Sequence, residues 1–444
     1  VTKHRRPIVS GNDVGAMSLT KLGSGVGLLG YYMYHGGSNP DSKLSTLQES
    51  RATGYLNDLP EINYDFNAPI RQYGTISDNY REIRLLAYFL QDFGADLAVL
   101  PADIDPDFVK PGDTHTLRVS VRHDDTHGYV FVNNYQRRLT MDDHKDVVLE
   151  GKTKGEPVRF PKTDIASGEY AFYPYNMKLK NAVLVSALAT PLCKLSCKDE
   201  DVYVFYGDKD PQFTWDGTPA KVLHLSRADA LLAARVTLKD HQEYLVLSDD
   251  FVWEESGVLR VVGGEETIIR TFPKLSKDVL PADFKEIAGE GDLTVYKRSQ
   301  NNENAQTSVL FVQSTKTPEE LSGKLVNSCG QPETLKGDEK IYEISVQYER
   351  ENRKGRKEGY DCILSFDYAC ESMELFVNGR KVNDYFYTGQ KALFSLGYFD
   401  FPTKITTVLH PLHEGDHIYL QEWPKMDDKK ACRIEAVTLI EQFS

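Results

Sequence analysis

The chain has 444 residues and a formal net charge of −14, with 40% hydrophobic residues. That length allows two to four domains with ordinary cores. The negative charge repels phosphate backbones and argues against nucleic-acid binding. No apolar run approaches the ~18 residues that span a bilayer.

The first stretch, Val1-Thr2-Lys3-His4-Arg5-Arg6-Pro7, is polar and lacks the apolar centre of a signal peptide. It reads as the start of a piece cut from a longer protein. Six cysteines are too sparse for a disulfide scaffold, and none has zinc-ligand spacing. Buried free thiols are the expectation, with a bridge between Cys193 and Cys197 or Cys362 and Cys370 left open. Most of the 25 Tyr, 20 Phe and 3 Trp are expected in cores.

Along the chain, Ser10 or Asn12 is a candidate cap for a helix through Leu22, ended by Gly23. Gly25-Val26-Gly27-Leu28-Leu29-Gly30 fits a dinucleotide fingerprint, but a fingerprint follows a strand and opens a helix. Here the glycines precede an expected strand, so no cofactor is predicted. Residues 28–34 are almost continuously apolar, as in a parallel strand covered on both faces. Residues 38–63 form a long polar loop, a length usually tied to function. Ser77 or Asp78 caps a second helix with Ile83, Leu86, Leu90 and Phe93 on its apolar face, and Gly94 is expected to stop it. Strand, long loop and outer helix make one βα unit of a (β/α)8 barrel.

After Pro101 helical periodicity gives way to short alternating runs, at 116–122, 129–132, 202–206 and 258–262. Pro174, Pro191 and Pro211 are expected between strands. Further runs fall at 344–348, 362–367, 374–377, 418–422 and 434–440, and Asn378-Gly379 signals a two-residue hairpin. Polar residues 298–306 suit an exposed linker. The organisation expected is multidomain: the last βα units of a (β/α)8 barrel at 1–96, a β-sandwich at 97–190, a second β-domain with linker at 191–325, and a jelly-roll domain at 326–444.

His123 and His127 flank Asp124-Asp125, but the segment reads as a strand end and solvated turn, so no metal is predicted. No GxSxG elbow occurs, and no cysteine has a convincing histidine partner.

Two motifs carry the functional reading. The first is Gly30-Tyr31-Tyr32-Met33-Tyr34-His35-Gly36-Gly37-Ser38-Asn39-Pro40. The second is Asn63-Tyr64-Asp65-Phe66-Asn67-Ala68-Pro69-Ile70-Arg71-Gln72-Tyr73-Gly74. Tyrosine offers a flat apolar ring to a sugar's C–H face and a hydroxyl to its polar groups. In residues and order these motifs resemble the end of the catalytic barrel in glycoside hydrolase family 35, the β-galactosidases. There the eighth strand reads like YMYHGGTN and a later loop like YDYDAPIDEYG. The resemblance is specific over residues 28–95 and looser over the β-domains. The run Leu375-Phe376-Val377-Asn378-Gly379, followed by Asp384-Tyr385-Phe386-Tyr387-Thr388-Gly389, resembles the family's jelly-roll modules.

The resemblance implies a retaining exo-glycosidase that removes terminal β-galactosyl residues, using two glutamates about 5–5.5 Å apart. Those glutamates are expected upstream of Val1, so no residue of this chain is assigned a catalytic role and the chain alone is expected to be inactive. The implied substrate-binding residues are Tyr32, Tyr34, His35, Asn39, Tyr64 and Phe66. Phe66 stands where the family has a second sugar-contacting tyrosine, and Ser38 replaces the usual threonine. A β-galactoside or related oligosaccharide is the implied ligand, and export to the periplasm or outside follows from the family's habit. A glycosidase for another β-linked sugar and a non-catalytic carbohydrate-binding protein remain alternatives. Oligomeric state is open.

Overall fold

In a computed structural model, the described residues are all except 1, 45, 50–53, 105–108, 199, 265, 299–306, 349–358 and 444. Most of the fold is antiparallel sheet. Helix α1, Gly11–Gly23, starts at Ser10, whose side chain accepts from the Asp13 backbone while Asp13 reaches back to the cap. This capping box satisfies two of the donors a helix start leaves open. Helix α2, Asp78–Val99, packs on α1 through Leu86 and Phe89 against Ala16, Leu19 and Leu22.

Two expectations for this region are corrected. Gly94 does not end α2, which continues to Val99. Glycine costs a helix about 1 kcal/mol, and the burial of Leu97 with Leu100 in the same core outweighs it. The chain turns extended only at Leu100, the residue before Pro101, where the helical region is disfavoured. Residues 28–34 do not form a strand. A parallel strand draws its ladder from neighbours on both sides. Here the backbone partners begin only at the end of the run, where Ile70 donates to the Tyr34 carbonyl at 3.0 Å and Gly36 donates to the Ile70 carbonyl at 2.7 Å. Leu28 and Tyr32 stand exposed. The observed pairing is a short antiparallel ladder, Gly37–Ser38 with Asn63–Tyr64.

Beyond α2, a six-stranded antiparallel sheet runs from Ala102–Ile104 at one edge to Thr214–Asp216 at the other. Its central strand, Tyr170–Leu179, contains Pro174 rather than ending before it. Proline cannot donate to a ladder. The neighbouring strand Ala182–Ser186 begins its pairing only at Tyr175, which leaves that side of Pro174 without a partner from that strand. Pro191 likewise lies inside a strand, Thr190–Ser196, but that strand is an edge and its register shifts after Pro191. A three-stranded sheet, which includes Asp201–Tyr206, and a five-stranded antiparallel sheet follow. Helix α3, Arg227–Leu232, links them.

The chain ends in a sandwich of a five-stranded and a three-stranded antiparallel sheet. Ile344, Leu375 and Ile405 from one sheet meet Leu364, Phe394 and Val437 from the other in a single core. Asn378 and Gly379 both adopt positive φ and join Ser372–Val377 to Arg380–Phe386. That is the backbone a two-residue hairpin needs. The run expected at 418–422 supplies only the two-residue strand Tyr419–Leu420. Most of the linker expected at 298–306 lies outside the described residues, and Arg298 ends a strand. All six cysteines are free thiols, with Cys193, Cys362, Cys370 and Cys432 buried.

The N-terminal segment is bound to this last sandwich. Arg5–Arg6 pairs with Tyr419–Leu420. The buried Arg6 guanidinium sits 2.8 Å from Glu371 and donates to the carbonyls of Glu371 and Tyr387. It also lies 4.7 Å from the Phe386 ring centroid.

Candidate functional site

The loop 60–75 owes its shape to side chains that replace missing ladder partners. The Asp65 backbone N–H donates to Asn63 at 3.0 Å, and the Asp65 carbonyl accepts from Ala68 at 3.0 Å. Between them Phe66 and Asn67 take positive φ, an uncommon state for both and an outlier for a bulky aromatic. Arg71 holds the Asp65 carboxylate at 2.8 Å, and Asn79 on α2 donates to the Asn67 carbonyl at 2.9 Å. The turn is therefore fixed from both sides. Ser77 begins α2 without a side-chain cap bond, because its hydroxyl faces the Ala68 and Pro69 carbonyls of this loop.

This geometry gathers three of the six residues expected to contact sugar. The rings of Tyr64 and Phe66 meet edge-on with centroids 4.7 Å apart. Tyr32 lies beside them. The Tyr64 phenol is held above its ordinary value chiefly by the nearby Tyr32 phenol. Tyr32 is 98% exposed and Phe66 38% exposed, so the group presents rings outward. The other three make different contacts. Tyr34 sits 6.4 Å from Tyr80 on α2, and burial raises its phenol. His35 contacts the Gly36 carbonyl through Nδ1. Asn39 braces the ladder, its backbone N–H donating to Ile62 at 2.8 Å and its side chain to Glu61 at 2.9 Å.

The terminal sandwich supplies partners that local sequence patterns do not reveal. Asp384 accepts from the backbone N–H groups of Glu61, Ile62 and Asn63 at 2.5, 2.9 and 3.2 Å. Asn383 donates to Gln72 at 3.0 Å and to the Tyr73 hydroxyl at 2.8 Å. A cleft of about 100 Å³ remains between this loop and the sandwich. Phe66, Asn63, Arg71 and Gln72 line one side, and Thr388, Gln390 and Lys391 the other. Its mix of aromatic rings, amides and the charged Asp65, Arg71 and Lys391 offers hydrogen bonds and a flat face together.

Below the loop lies a buried charge cluster. The Lys381 side chain is 2% exposed and sits 2.8 Å from Glu374, 2.7 Å from Glu333 and 3.4 Å from Glu61. His410 lies 3.4 Å from Glu374 and 3.6 Å from Glu339. Burial would lift the Glu374 carboxyl, but Lys381 and His410 outweigh it and hold it down to about 2. Asp384 is pushed up to about 6 by burial, against the pull of Lys381 and the backbone donors.

Among the described residues, no group of three or more His, Cys, Asp or Glu is arranged to hold a metal ion. His127 bonds Asp96 at 2.8 Å and Asp124 at 3.1 Å, and Asp124 also caps the turn at Thr126. Among the described residues, no helix is long and apolar enough to cross a membrane. No protein-family model matches the chain, and no curated protein matches it.

Proposed function

We propose that this chain is the C-terminal portion of a retaining exo-glycosidase acting on terminal β-galactosyl residues, and that Tyr32, Tyr64 and Phe66 form part of its sugar pocket. The observation that carries the reading is the edge-on contact of the Tyr64 and Phe66 rings, with Tyr32 near Tyr64. The three residues come from two motifs separated by a long loop, and both motifs resemble family 35. Aromatic faces stack on sugar C–H groups, and the Tyr32 and Tyr64 hydroxyls supply polar contacts. In this reading the first 96 residues are the last βα units of a (β/α)8 barrel, and the terminal sandwich is a jelly roll that holds the sugar-contacting loop in place. The nucleophile and the acid/base are two glutamates of earlier barrel strands, and no carboxylate of this chain is given either role. The protein acts in the periplasm or outside the cell.

One observation favours a second reading, a glycosidase for another β-linked sugar. Phe66 carries no hydroxyl where the family places a sugar-contacting tyrosine, and its ring packs edge-on against Tyr64. A panel of nitrophenyl β-glycosides tests both, using the complete reading frame that contains this chain. Release from the β-galactoside alone supports the first reading, and preference for another sugar supports the second. Silence from folded protein rejects both.

A further inference from the structure

A second cavity, of about 320 Å³, lies away from the Tyr64 loop, and the two share no lining residue. It opens where three parts of the chain meet. These are the first turn of α1 at Asn12, the strand Tyr170–Leu179 with the turn before it, and the segment Gly207–Lys209 with the start of α3. A volume of this size falls within the range of small-molecule sites.

Its walls are tyrosines. Tyr170, Tyr173 and Tyr206 are each buried, and Thr190 lies among them. Tyr170 donates to Asn12 at 3.1 Å and accepts from Arg227 at 2.6 Å. Thr190 donates its proton to the Phe172 carbonyl at 3.0 Å and also faces the Tyr206 hydroxyl.

The lining carries both signs of charge, with Glu169 and Asp208 acidic and Lys209 and Arg227 basic. Lys209 contacts Glu169 directly, and Arg227 is held 2.5 Å from Glu82 behind the wall. The Arg227 backbone N–H takes an Asp208 oxygen at 2.9 Å. An anion would meet Glu169 and Asp208, and a cation would meet Lys209 and Arg227. An apolar ligand would strip water from these polar atoms and return no hydrogen bonds, which is costly. A neutral polyol meets donors, acceptors and ring faces with no charge penalty.

We propose that this cavity is a binding site for a neutral polyhydroxylated ligand of monosaccharide to disaccharide size. It is separate from the Tyr32–Tyr64–Phe66 group and does not rest on that group's function.

The test is calorimetric titration of the 444-residue chain with D-galactose, D-glucose, a neutral disaccharide and myo-inositol, with inorganic phosphate and spermine as charged probes. The expected result is low-millimolar binding of at least one neutral probe and none of the charged ones. Asn12→Ala, at an exposed rim position, weakens that binding about fivefold, the value of one hydrogen bond. Tyr206→Phe weakens it similarly, and Phe66→Ala leaves it unchanged. Binding lost in Phe66→Ala but kept in Asn12→Ala and Tyr206→Phe places the ligand at the other site and overturns the proposal. Preference for phosphate or spermine overturns it, as does the absence of binding by any neutral probe.

Discussion

The Asp384 carboxylate accepts the backbone N–H of Ile62 at 2.9 Å, across 322 residues of sequence. It takes the flanking amides of Glu61 and Asn63 as well. One buried side chain of the terminal sandwich therefore stands in for a missing strand partner of the loop that carries Tyr64 and Phe66. Asp384→Ala leaves three amides without that acceptor. It is expected to destabilise the chain by about 3 kcal/mol, since each unsatisfied buried donor costs about 1–3 kcal/mol in isolation and some regain water. Urea unfolding measures the loss. Hydrogen exchange should quicken first at residues 61–63, and unchanged exchange there would reject the clamp.

Lys381 offers a second test. Three carboxylates, Glu61, Glu333 and Glu374, face a lysine that is almost fully enclosed. Lys381→Met keeps the length of the side chain and removes its charge. Uncompensated buried charge typically costs about 3–5 kcal/mol, so a loss near that size is expected in chemical denaturation. A variant as stable as the parent would show that water reaches the cluster.

The same cluster sets a pH dependence. Glu374 titrates at about 2 in the folded chain against 4.5 when unperturbed. A depressed folded value contributes stability above about pH 4.5 that is lost as pH falls towards 2. Asp384 runs the other way, at about 6 against 3.8. The proton-linked part of its contribution is full below pH 3.8 and gone above about 6, while its role as acceptor of the three amides remains. Glu374→Gln should therefore flatten the acid limb of the stability curve, and Asp384→Asn should remove a decline between pH 4 and 6. Equilibrium unfolding across pH 2–7 reads both. Identical curves for parent and variants would contradict the assignment.

Close packing at Gly15 gives a fourth prediction. A Cβ there would lie 2.5 Å from Glu82 Oε2 and 2.6 Å from the Tyr170 hydroxyl. Those two groups also hold Arg227. Gly15→Ala should lower stability by about 1–3 kcal/mol through overpacking, despite alanine's better helix propensity. A stabilised variant in thermal melting would show that the Glu82 side chain moves aside at little cost.

What could be read from the sequence was local. Asn378-Gly379 specifies its hairpin through positive φ at both positions, and Ser10 with Asp13 specifies a helix start, because each pattern is satisfied within a few residues. Alternating runs such as 258–262 mark real strands for the same reason. The misread elements depend on distant partners. Gly94 sits inside α2 because Leu97 and Leu100 find a core built by other strands. Pro174 is tolerated in a strand because Ala182–Ser186 starts pairing one residue later. Residues 28–34 have a strand's composition, but composition does not supply neighbours. Within the candidate site, Tyr32, Tyr64 and Phe66 were legible as motif residues. Asp384 and Asn383, which hold their loop, lie more than 300 residues away and follow no local pattern.

Phe66 is the position most open to reversal. Phe66→Tyr in the complete reading frame adds one hydroxyl at the sugar-facing ring. If galactose is the glycone, KM for a nitrophenyl β-galactoside should fall about threefold to tenfold, the range of one hydrogen bond. A fall for a different β-glycoside instead would favour the second reading.

The most direct test of the central proposal is proton NMR of the first product formed from a β-galactoside by that complete reading frame. A retaining glycosidase releases the β-anomer first, and α-galactose appears only as the free sugar mutarotates. That order is predicted here. Release of α-galactose first, or no release by folded protein, would contradict the account.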